Sequence, residues 1–403
     1  MGETAFLPLL FGGDINVYSV ARAFYEGYGI RPVAYGKFGA SVCADSDIVD
    51  YKVKQDIENP AVLCGVVVEY AAAHRDKTVL AMGCGDSYVR ILAEHREELP
   101  PNVVAPYISG ELMNTLGNKE SFYEVCDQYG LPHPATFIYK PDMGDDFELP
   151  FEPPYICKAA NDVAYWAHPF EGNRKGFVLQ SREELLEVLH KIYAAGYPDD
   201  MILQEFIPGD DTHMRVLTSY SGKDGKVKLM CLGHVLLEEH NPHGVGNYAV
   251  IQTTYEETVC QRLRSFLEAV GYVGFSNIDM KYDERDGKYK LFEVNCRQGR
   301  SNYYVTGAGH NIARLLVEDW IEGKELPFTI TKEKSLFMVV PKKVAFDYID
   351  LKYHGEMKEL LHAGAVNNPL FCPQDKSFSH RLRIWKNHWR NYGLFRQYAE
   401  KKR

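Results

Sequence analysis

The chain has 403 residues, 45% of them hydrophobic and 25% charged, which suits a globular protein of two or three domains rather than a single core. Its net charge of −10 excludes a general nucleic-acid binder, although a local site can still take an anion. No apolar run reaches the ~18 residues needed to span a bilayer, and the opening MGETAFLPLLFGGD reads as neither a signal peptide nor a myristoylation motif, since position six is Phe6.

The first block, residues 1–115, alternates strand and helix. Phe6 to Leu10 reads as a buried strand, Gly12-Gly13-Asp14 as a turn, and Val17 to Tyr28 as a helix closed by Gly29. Arg31 to Tyr35 is the next strand and Ala61 to His74 the next helix. The strand Thr78 to Met82 runs into Gly83-Cys84-Gly85-Asp86, and the helix Ser87 to His95 follows. This alternation predicts a parallel sheet with helices on both faces. Both glycine turns then lie at carboxyl ends of strands, the edge where open sheets bind ligands. Neither is GxGxxG, so no dinucleotide site is indicated. The plain reading is a pair of tight turns; the functional one makes Asp14, Asn16 and Asp86 polar contacts of a substrate cleft.

The second block, 116–201, opens with Asn118 capping a helix that starts at Lys119. Pro132 and Pro134 end it. Lys158 interrupts the apolar strand Tyr155-Ile156-Cys157-Lys158-Ala159, and Glu171 to Gly176 is a basic, glycine-containing loop with Arg174 and Lys175. Glu183 to Ala195 is an amphipathic helix. The third block, 202–334, begins with the strand Ile202-Leu203-Gln204, and Glu205-Phe206-Ile207-Pro208-Gly209-Asp210-Asp211 follows it.

Near its end this block holds a hairpin. Asn277 to Tyr282 and Tyr289 to Asn295 are strands joined by a polar turn through Asp286-Gly287. Glu293 and Asn295 are two apart and share a strand face, with Asp279 near the same level of the partner. Three oxygen-bearing side chains at one spot suit a hard cation such as Mg²⁺. A two-residue turn would oppose Asp279 to Val294 and put the carboxylates on opposite faces, so the loop must be odd or bulged, with Gly287 at positive φ. The plain alternative is an ordinary hairpin with solvated charges.

The tail, 335–403, turns basic after Asp375. Leu382, Trp385, Trp389, Tyr392, Phe395 and Tyr398 recur at helical spacing among arginines and lysines, which fits an anionic membrane surface or a partner. The plainer reading, a helix docked through its aromatic face, is favoured because Gly393 weakens a free helix. The nine cysteines, Cys43, Cys64, Cys84, Cys126, Cys157, Cys231, Cys260, Cys296 and Cys372, form no CxxC pair and read as a reduced, cytoplasmic inventory.

An Asp on one strand followed by Glu-x-Asn on the next resembles the metal-binding end of the ATP-grasp superfamily, and Asn118-Lys119-Glu120, Lys158 and Gln204-Glu205-Phe206-Ile207 match its other elements in order. FGGDINVYSVARAFYEGYGI, EFIPGDD, MCLGH and NCRQGRSNYYVTGAGHN are similar to the bacterial D-aspartate ligases of peptidoglycan cross-bridge synthesis, a resemblance that runs over residues 8–343. It implies a parallel-sheet pre-ATP-grasp domain, then an ATP-grasp fold of two α+β subdomains (116–201 and 202–334) and a C-terminal extension. It also implies a cytoplasmic ligase that uses ATP and Mg²⁺, activates the β-carboxylate of D-aspartate as an acyl phosphate, and passes it to a lysine ε-amine of a peptidoglycan precursor. A homo-oligomer is left open.

On this resemblance Lys119 and Lys158 contact nucleotide, and Arg174 and Lys175 lie in a loop that closes over the phosphates. Gln204, Glu205, Phe206 and Ile207 form the adenine hinge, Asp210 or Asp211 holds the ribose, and Asp279, Glu293 and Asn295 hold the metal. Arg297 and Arg300 follow the metal strand, where a guanidinium suits carboxylate or phosphate; one is expected on the transferred phosphoryl and the other on a substrate carboxylate. Some superfamily members carry an Arg two residues before the metal Asp. Asn277 stands there, so that role passes to Arg215, Arg297 or Arg300. His213, His234, His240 and His243 cluster in the third block; a mobile loop over the amine substrate is preferred to a metal site. Two other readings are a ligase for another amino acid or peptide outside cell-wall synthesis, and a nucleotide-binding regulator without catalysis.

Overall fold

The computed structural model describes residues 4–242 and 244–402; His243 lies outside them. The chain forms two compact units, one of Met1–Met113, Asp211–Asp279 and Val294–Arg403, the other of Asn114–Asp210 and Met280–Glu293.

The first unit opens with β1 (Phe6–Phe11), β2 (Val33–Gly36), β3 (Asp50–Val53), β4 (Thr78–Gly83) and β5 (Val103–Val104). They form a parallel sheet in the order β3-β2-β1-β4-β5. Leu9, Leu10 and Phe11 are wholly buried, the continuous apolar run of a strand covered on both faces. The connecting helices are α1 (Ile15–Tyr28), α2 (Pro60–Ala73) and α3 (Asp86–Glu94). Asp14 caps α1 by accepting the N–H groups of Asn16 and Val17, and Gly29 ends it at φ 66°. Strand order reverses at β1, so the carboxyl ends of β1 and β4 border the ligand crevice of such a sheet. Glycine is required at both turns: a Cβ on Gly12, at φ 132°, would meet Val17 Cγ2 at 2.6 Å, and one on Gly83 would meet Val89 N at 2.7 Å.

After α4 (Gly110–Gly117) comes α5 (Lys119–Gln128), capped by Asn118 as its sequence predicts. The second unit's sheet comprises β6 (Thr136–Tyr139), β7 (Tyr155–Ala159), β8 (Phe177–Leu179) and β9 (Met201–Glu205), in the order β6-β9-β7-β8. Helices α6 (Asp162–Ala167) and α7 (Arg182–Ala194) complete the run, and Cys157, Leu185, Leu189 and Leu203 share its core. Tyr155, Cys157 and Ala159 point into that core, so Ile156 and Lys158 take the other face of β7. The pairings Ile156↔Gln204 and Lys158↔Ile202 put Gln204 and Ile202 on that same face.

The remaining strands are β10 (Met214–Ser221), β11 (Val227–Glu238), β12 (Tyr248–Thr254), β13 (Gly274–Asp283), β14 (Lys288–Asn295), β15 (Thr329–Ile330), β16 (Leu336–Met338) and β17 (Val366–Asn367). Their order is β14-β13-β10-β11-β12-β16-β17, with β15 on β11. Val20 and Phe24 of α1 pack in one core with Tyr304, Ile312 and Leu316. The last seventy residues or so are built into this sheet, because β16 pairs antiparallel with β12. A second core joins Leu336 and Met338 to Val344, Tyr348, Met357, Leu360 and Phe395.

The tail helix, Phe378–Tyr398, is continuous through Gly393; packing on the body offsets the ~1 kcal/mol cost of that glycine. Its docking face differs from the expected one. Leu382, Trp385 and Trp389 are exposed, and His380, Ile384 and Phe395 face inward. Polar anchoring selects this face: His380 Nε2 donates to Val42 O at 2.9 Å, and His380 Nδ1 lies 3.1 Å from Asp375, which also accepts from Tyr18 and Ser46. All nine cysteines are free thiols, and only Cys64 is not fully buried. Burial pushes the thiols of Cys126, Cys231, Cys260 and Cys296 up to about 12. Among the described residues no helix is long and apolar enough to cross a membrane.

Candidate active site

At the base of the β13–β14 hairpin, Asp279 accepts from the Tyr248 hydroxyl at 2.8 Å and from Asn295 Nδ2 at 3.1 Å. Asn295 Nδ2 also reaches Asn277 O at 3.3 Å, so the Asn295 side chain lies on the Asp279 side of the sheet. Glu293 is exposed, two residues before Asn295, with buried Val294 between them. Four residues, Glu284 to Gly287, join the strands, and Gly287 takes φ 69° while donating to Asp283 O at 2.9 Å. The loop is thus even in length rather than odd, while the positive φ at Gly287 is as expected. Asn277, two residues before Asp279, is buried; Thr218 Oγ1 donates to its Oδ1 at 3.2 Å. A Cβ on Gly299 would meet that Oδ1 at 2.3 Å.

The segment after β14 brings its two arginines to different carboxylates. Arg297 makes a fork to Asp86, Nε–Oδ1 2.7 Å and Nη2–Oδ2 2.8 Å, and Nη2 also reaches Asn295 Oδ1 at 3.3 Å. Burial works to lower its pKa, but Asp86, then Asp279 and Asp14, outweigh it and hold the guanidinium above its ordinary value. Arg300 Nη1 lies 3.0 Å from Glu239 Oε1. Arg215 is turned to backbone, donating to the carbonyls of Thr212 and Met214 at 2.9 Å.

Asp14, Glu239 and Arg300 line a cleft of about 380 Å³, with Asn387, His388 and Asn391 of the tail helix on its wall. Asp14 is open to solvent within this cleft yet crowded by protein atoms. That crowding raises its carboxyl above the usual range, with Arg300 and then Arg297 pulling the other way.

In the second unit, Lys119 Nζ reaches Ala159 O at 3.4 Å, which brings the start of α5 to the end of the Lys158 strand. Gln204 is buried and donates to Thr136 Oγ1 at 2.7 Å. Glu205 accepts from Ala135 N at 3.0 Å and from Arg285 at 2.8 Å, with Lys290 Nζ 3.9 Å away. Lys281 Nζ sits 5.5 Å from the Phe206 ring centre and donates to Gly209 O, next to Asp210; Ile207 is buried. Arg174 and Lys175 are exposed, the Arg174 guanidinium 5.2 Å from the centre of the Phe177 ring.

Asp211 accepts from His240 at 2.8 Å and from Glu238 N at 2.9 Å. Burial opposes its charge, but these bonds outweigh burial and hold Asp211 below its usual range, while the bond to Asp211 raises His240. His234 is lowered to about 4, by burial and then by Arg215, and its Nε2 bonds Thr212 O at 2.8 Å. Among the described residues no three His, Cys, Asp or Glu side chains gather as a metal group; the expected set relies on two carboxylates and an amide instead.

Two site partners escape a reading of the sequence, Tyr248 on Asp279 and Glu239 on Arg300. Neither stands in a motif, and only the strand order brings them near. Asp86 and Arg297 are each legible as candidates, but their pairing is not.

No family model matches the chain. It is 41% identical over 402 aligned residues to the D-aspartate ligase of Enterococcus faecium (strain Aus0004), covering 96% of this chain and 95% of that one. Among solved structures it resembles N5-carboxyaminoimidazole synthetase from Staphylococcus aureus complexed with ADP, with a TM-score of 0.62 at 12% identity over 89% of this chain and 88% of that one. It also resembles an L-amino acid ligase from Bacillus licheniformis, with a TM-score of 0.54 at 15% identity over 79% and 75% of the two chains. At these identities the structural likeness is one of fold, and it is the expected one: a parallel-sheet domain followed by an ATP-grasp.

Proposed function

The chain belongs to the D-aspartate ligase family, ATP-dependent ligases that join a carboxylate to an amine, and from that premise we propose that it activates the β-carboxylate of D-aspartate and passes it to a lysine ε-amine of a peptidoglycan precursor. In this reading a β-carboxylate oxygen takes the γ-phosphoryl group and ADP leaves. The amine then attacks the acyl carbon, the carbon–oxygen bond to phosphate breaks, and an amide, inorganic phosphate and a proton result.

The cleft bordered by Asp14 and Arg300 carries this proposal. An amino acid presents an ammonium and a carboxylate, and these two side chains offer a partner for each. One edge of Arg300 meets Glu239; a planar guanidinium has a second edge that can grip a carboxylate by two parallel bonds. Aspartate then keeps its second carboxylate for the reaction, which is why this amino acid fits better than one with a single carboxylate.

Arg297, fixed by its fork to Asp86, is assigned to the transferring phosphoryl group, where a preorganised cation costs no reorganisation. Lys119 and Lys158 are assigned to the nucleotide, with the backbone of Gln204 to Ile207 on the adenine edge. Asp279, Glu293 and Asn295 supply oxygens of the kind Mg²⁺ takes alongside phosphate oxygens and water; the contact between Asp279 and Asn295 supports two of the three. Bound there, the ion would neutralise phosphate charge.

The test is phosphate release from ATP with D- and L-amino acids in turn, with and without a lysine-containing stem peptide. D-aspartate should stimulate release and give an amide only when the peptide is present. Stimulation by a different amino acid, with D-aspartate silent, would remove the substrate assignment and leave the ligase family intact.

A further inference from the structure

The tail helix, labelled α13 after α8 (Glu257–Ala269), α9 (Tyr303–Gly307), α10 (Ile312–Leu316), α11 (Lys342–Tyr348) and α12 (His354–His362), keeps one face for the body and leaves another bare. At about 100° of turn per residue, Phe378, Leu382, Trp385 and Trp389 fall within about 60° of arc. They are 80%, 60%, 50% and 61% exposed, so four large apolar side chains stand in a row in water. The inward residues His380, Ile384 and Phe395 lie well round the helix from this row, which touches the body where Trp385 meets the Phe371 ring edge-on at 5.0 Å.

The charge of the helix sets it apart from the rest of the chain. Its 21 residues contain Arg381, Arg383, Lys386, Arg390 and Arg396 and no Asp or Glu, whereas the whole chain is net −10. Lys386, Arg390 and Arg396 are exposed beside the apolar row. Next to the row is an open recess of about 460 Å³ against α11, lined by Trp389, Tyr392, Arg396, Lys343 and Lys401. The Lys401 ammonium meets Asp347 there at 2.9 Å. Aromatic and cationic side chains thus meet at one end of the apolar row.

We infer that this face seats the protein on an anionic phospholipid surface. Phe378, Leu382, Trp385 and Trp389 enter the headgroup–acyl boundary, the flanking cations meet lipid phosphates, and the recess takes one headgroup phosphate between Arg396 and Lys343. A helix with an apolar face rich in Trp and Phe and a polar face rich in Lys and Arg binds membranes in this way, parallel to the surface. A second copy is the poorer occupant, because a two-fold contact sets each face against itself and would bring like charges together. The inference does not rest on the substrate assigned above. It has one consequence for it: the same helix walls the Asp14–Arg300 cleft through Asn387, His388 and Asn391, so the cleft would work close to the lipid.

Flotation of the full chain with vesicles tests this. It should float with phosphatidylcholine vesicles containing phosphatidylglycerol and not with pure phosphatidylcholine, and added salt should weaken binding through screening. Tryptophan emission should shift to the blue on binding, because Trp385 and Trp389 leave water. Lys386→Gln and Arg396→Gln should each weaken binding about fivefold, since each cation near such a surface contributes roughly that factor. Trp385→Ser with Trp389→Ser should abolish flotation while ATP-dependent ligation in free solution stays as in the parent. No flotation of the parent with anionic vesicles at low salt, or equal flotation with neutral ones, overturns the inference whatever the variants do. Self-association of the parent that the tryptophan variant abolishes, without flotation, assigns the face to a second copy and also overturns it.

Discussion

The two ends of the β13–β14 hairpin both carry charged clusters, and the clusters differ in kind. At the tip, Arg285 bonds Asp283 at 2.8 and 2.7 Å and Glu205 at 2.8 Å, and Lys290 lies 3.0 Å from Asp286. Full cations answer full anions there, and the bond from Arg285 holds the buried Asp283 carboxyl below its usual range. At the base, Asp279 takes bonds from a tyrosine hydroxyl and an asparagine amide, neutral donors that leave its formal charge in place. A carboxylate bonded by a guanidinium is a staple for the fold, whereas Asp279, bonded by hydroxyl and amide, carries its charge close enough to Arg297 to help hold that guanidinium above its ordinary value. A tally of acidic residues along the hairpin does not tell these apart.

The sharpest way to break this contrast is to remove charge at the base. Asp279→Asn and Glu293→Gln should each lower ligase turnover on the order of a hundredfold or more, the scale of one focused electrostatic contact, with the melting temperature unmoved. Near-parental turnover in both would remove the metal role assigned to the base.

Arg300→Lys addresses the cleft. Lysine keeps the charge and loses the fork, so the KM for D-aspartate should rise on the order of tenfold while that for ATP barely changes. Equal increases for both substrates would take Arg300 out of the amino-acid site. Lys158→Ala should weaken ATP binding by about tenfold, the loss of one charge-assisted bond, whereas Lys342→Ala, on α11, should leave nucleotide affinity as it is. Calorimetric titration of both variants against the parent measures the difference.

The smallest effect belongs to the tip. Asp283→Asn should cost about 1–3 kcal/mol of stability at neutral pH and leave turnover within a factor of about two. The sign with pH follows from the depressed folded value. Stability from Asp283 is fully present above the unfolded value of about 4 and is lost as pH falls below it through the folded one. The parent should therefore lose more stability than the variant in acid melts below about pH 4. A variant as stable as the parent throughout would show that the tip cluster is not a staple.

Local chemistry is what a sequence displays most clearly. Gly29 and Asn118 both cap the helices their neighbours predict, and Gly287 takes the positive φ that the hairpin demands. The centre of the parallel sheet is equally plain, because buried β1 and β4 write continuous apolar runs, whereas half-exposed β3 and two-residue β5 write none. What stays hidden depends on partners distant in sequence. The Asp86–Arg297 fork joins the start of α3 to the segment after β14, and nothing near either residue names the other. The docking face of α13 is hidden for a related reason: apolar periodicity picks out the tryptophans, but the buried bond from His380 to Val42 and the close approach of His380 to Asp375 decide which side turns in.

The cysteines offer a built-in clock. In the resting fold, eight of the nine thiols are buried, so a thiol reagent in neutral buffer should modify Cys64 first and reach the others only when structure opens around them. Cys157 reports on the core of the second unit and Cys231 on the long sheet of the first. The order and rates at which they react, read by mass, would rank the opening free energies of the two units without any engineered label, and their slowing with ATP would show which unit the nucleotide braces.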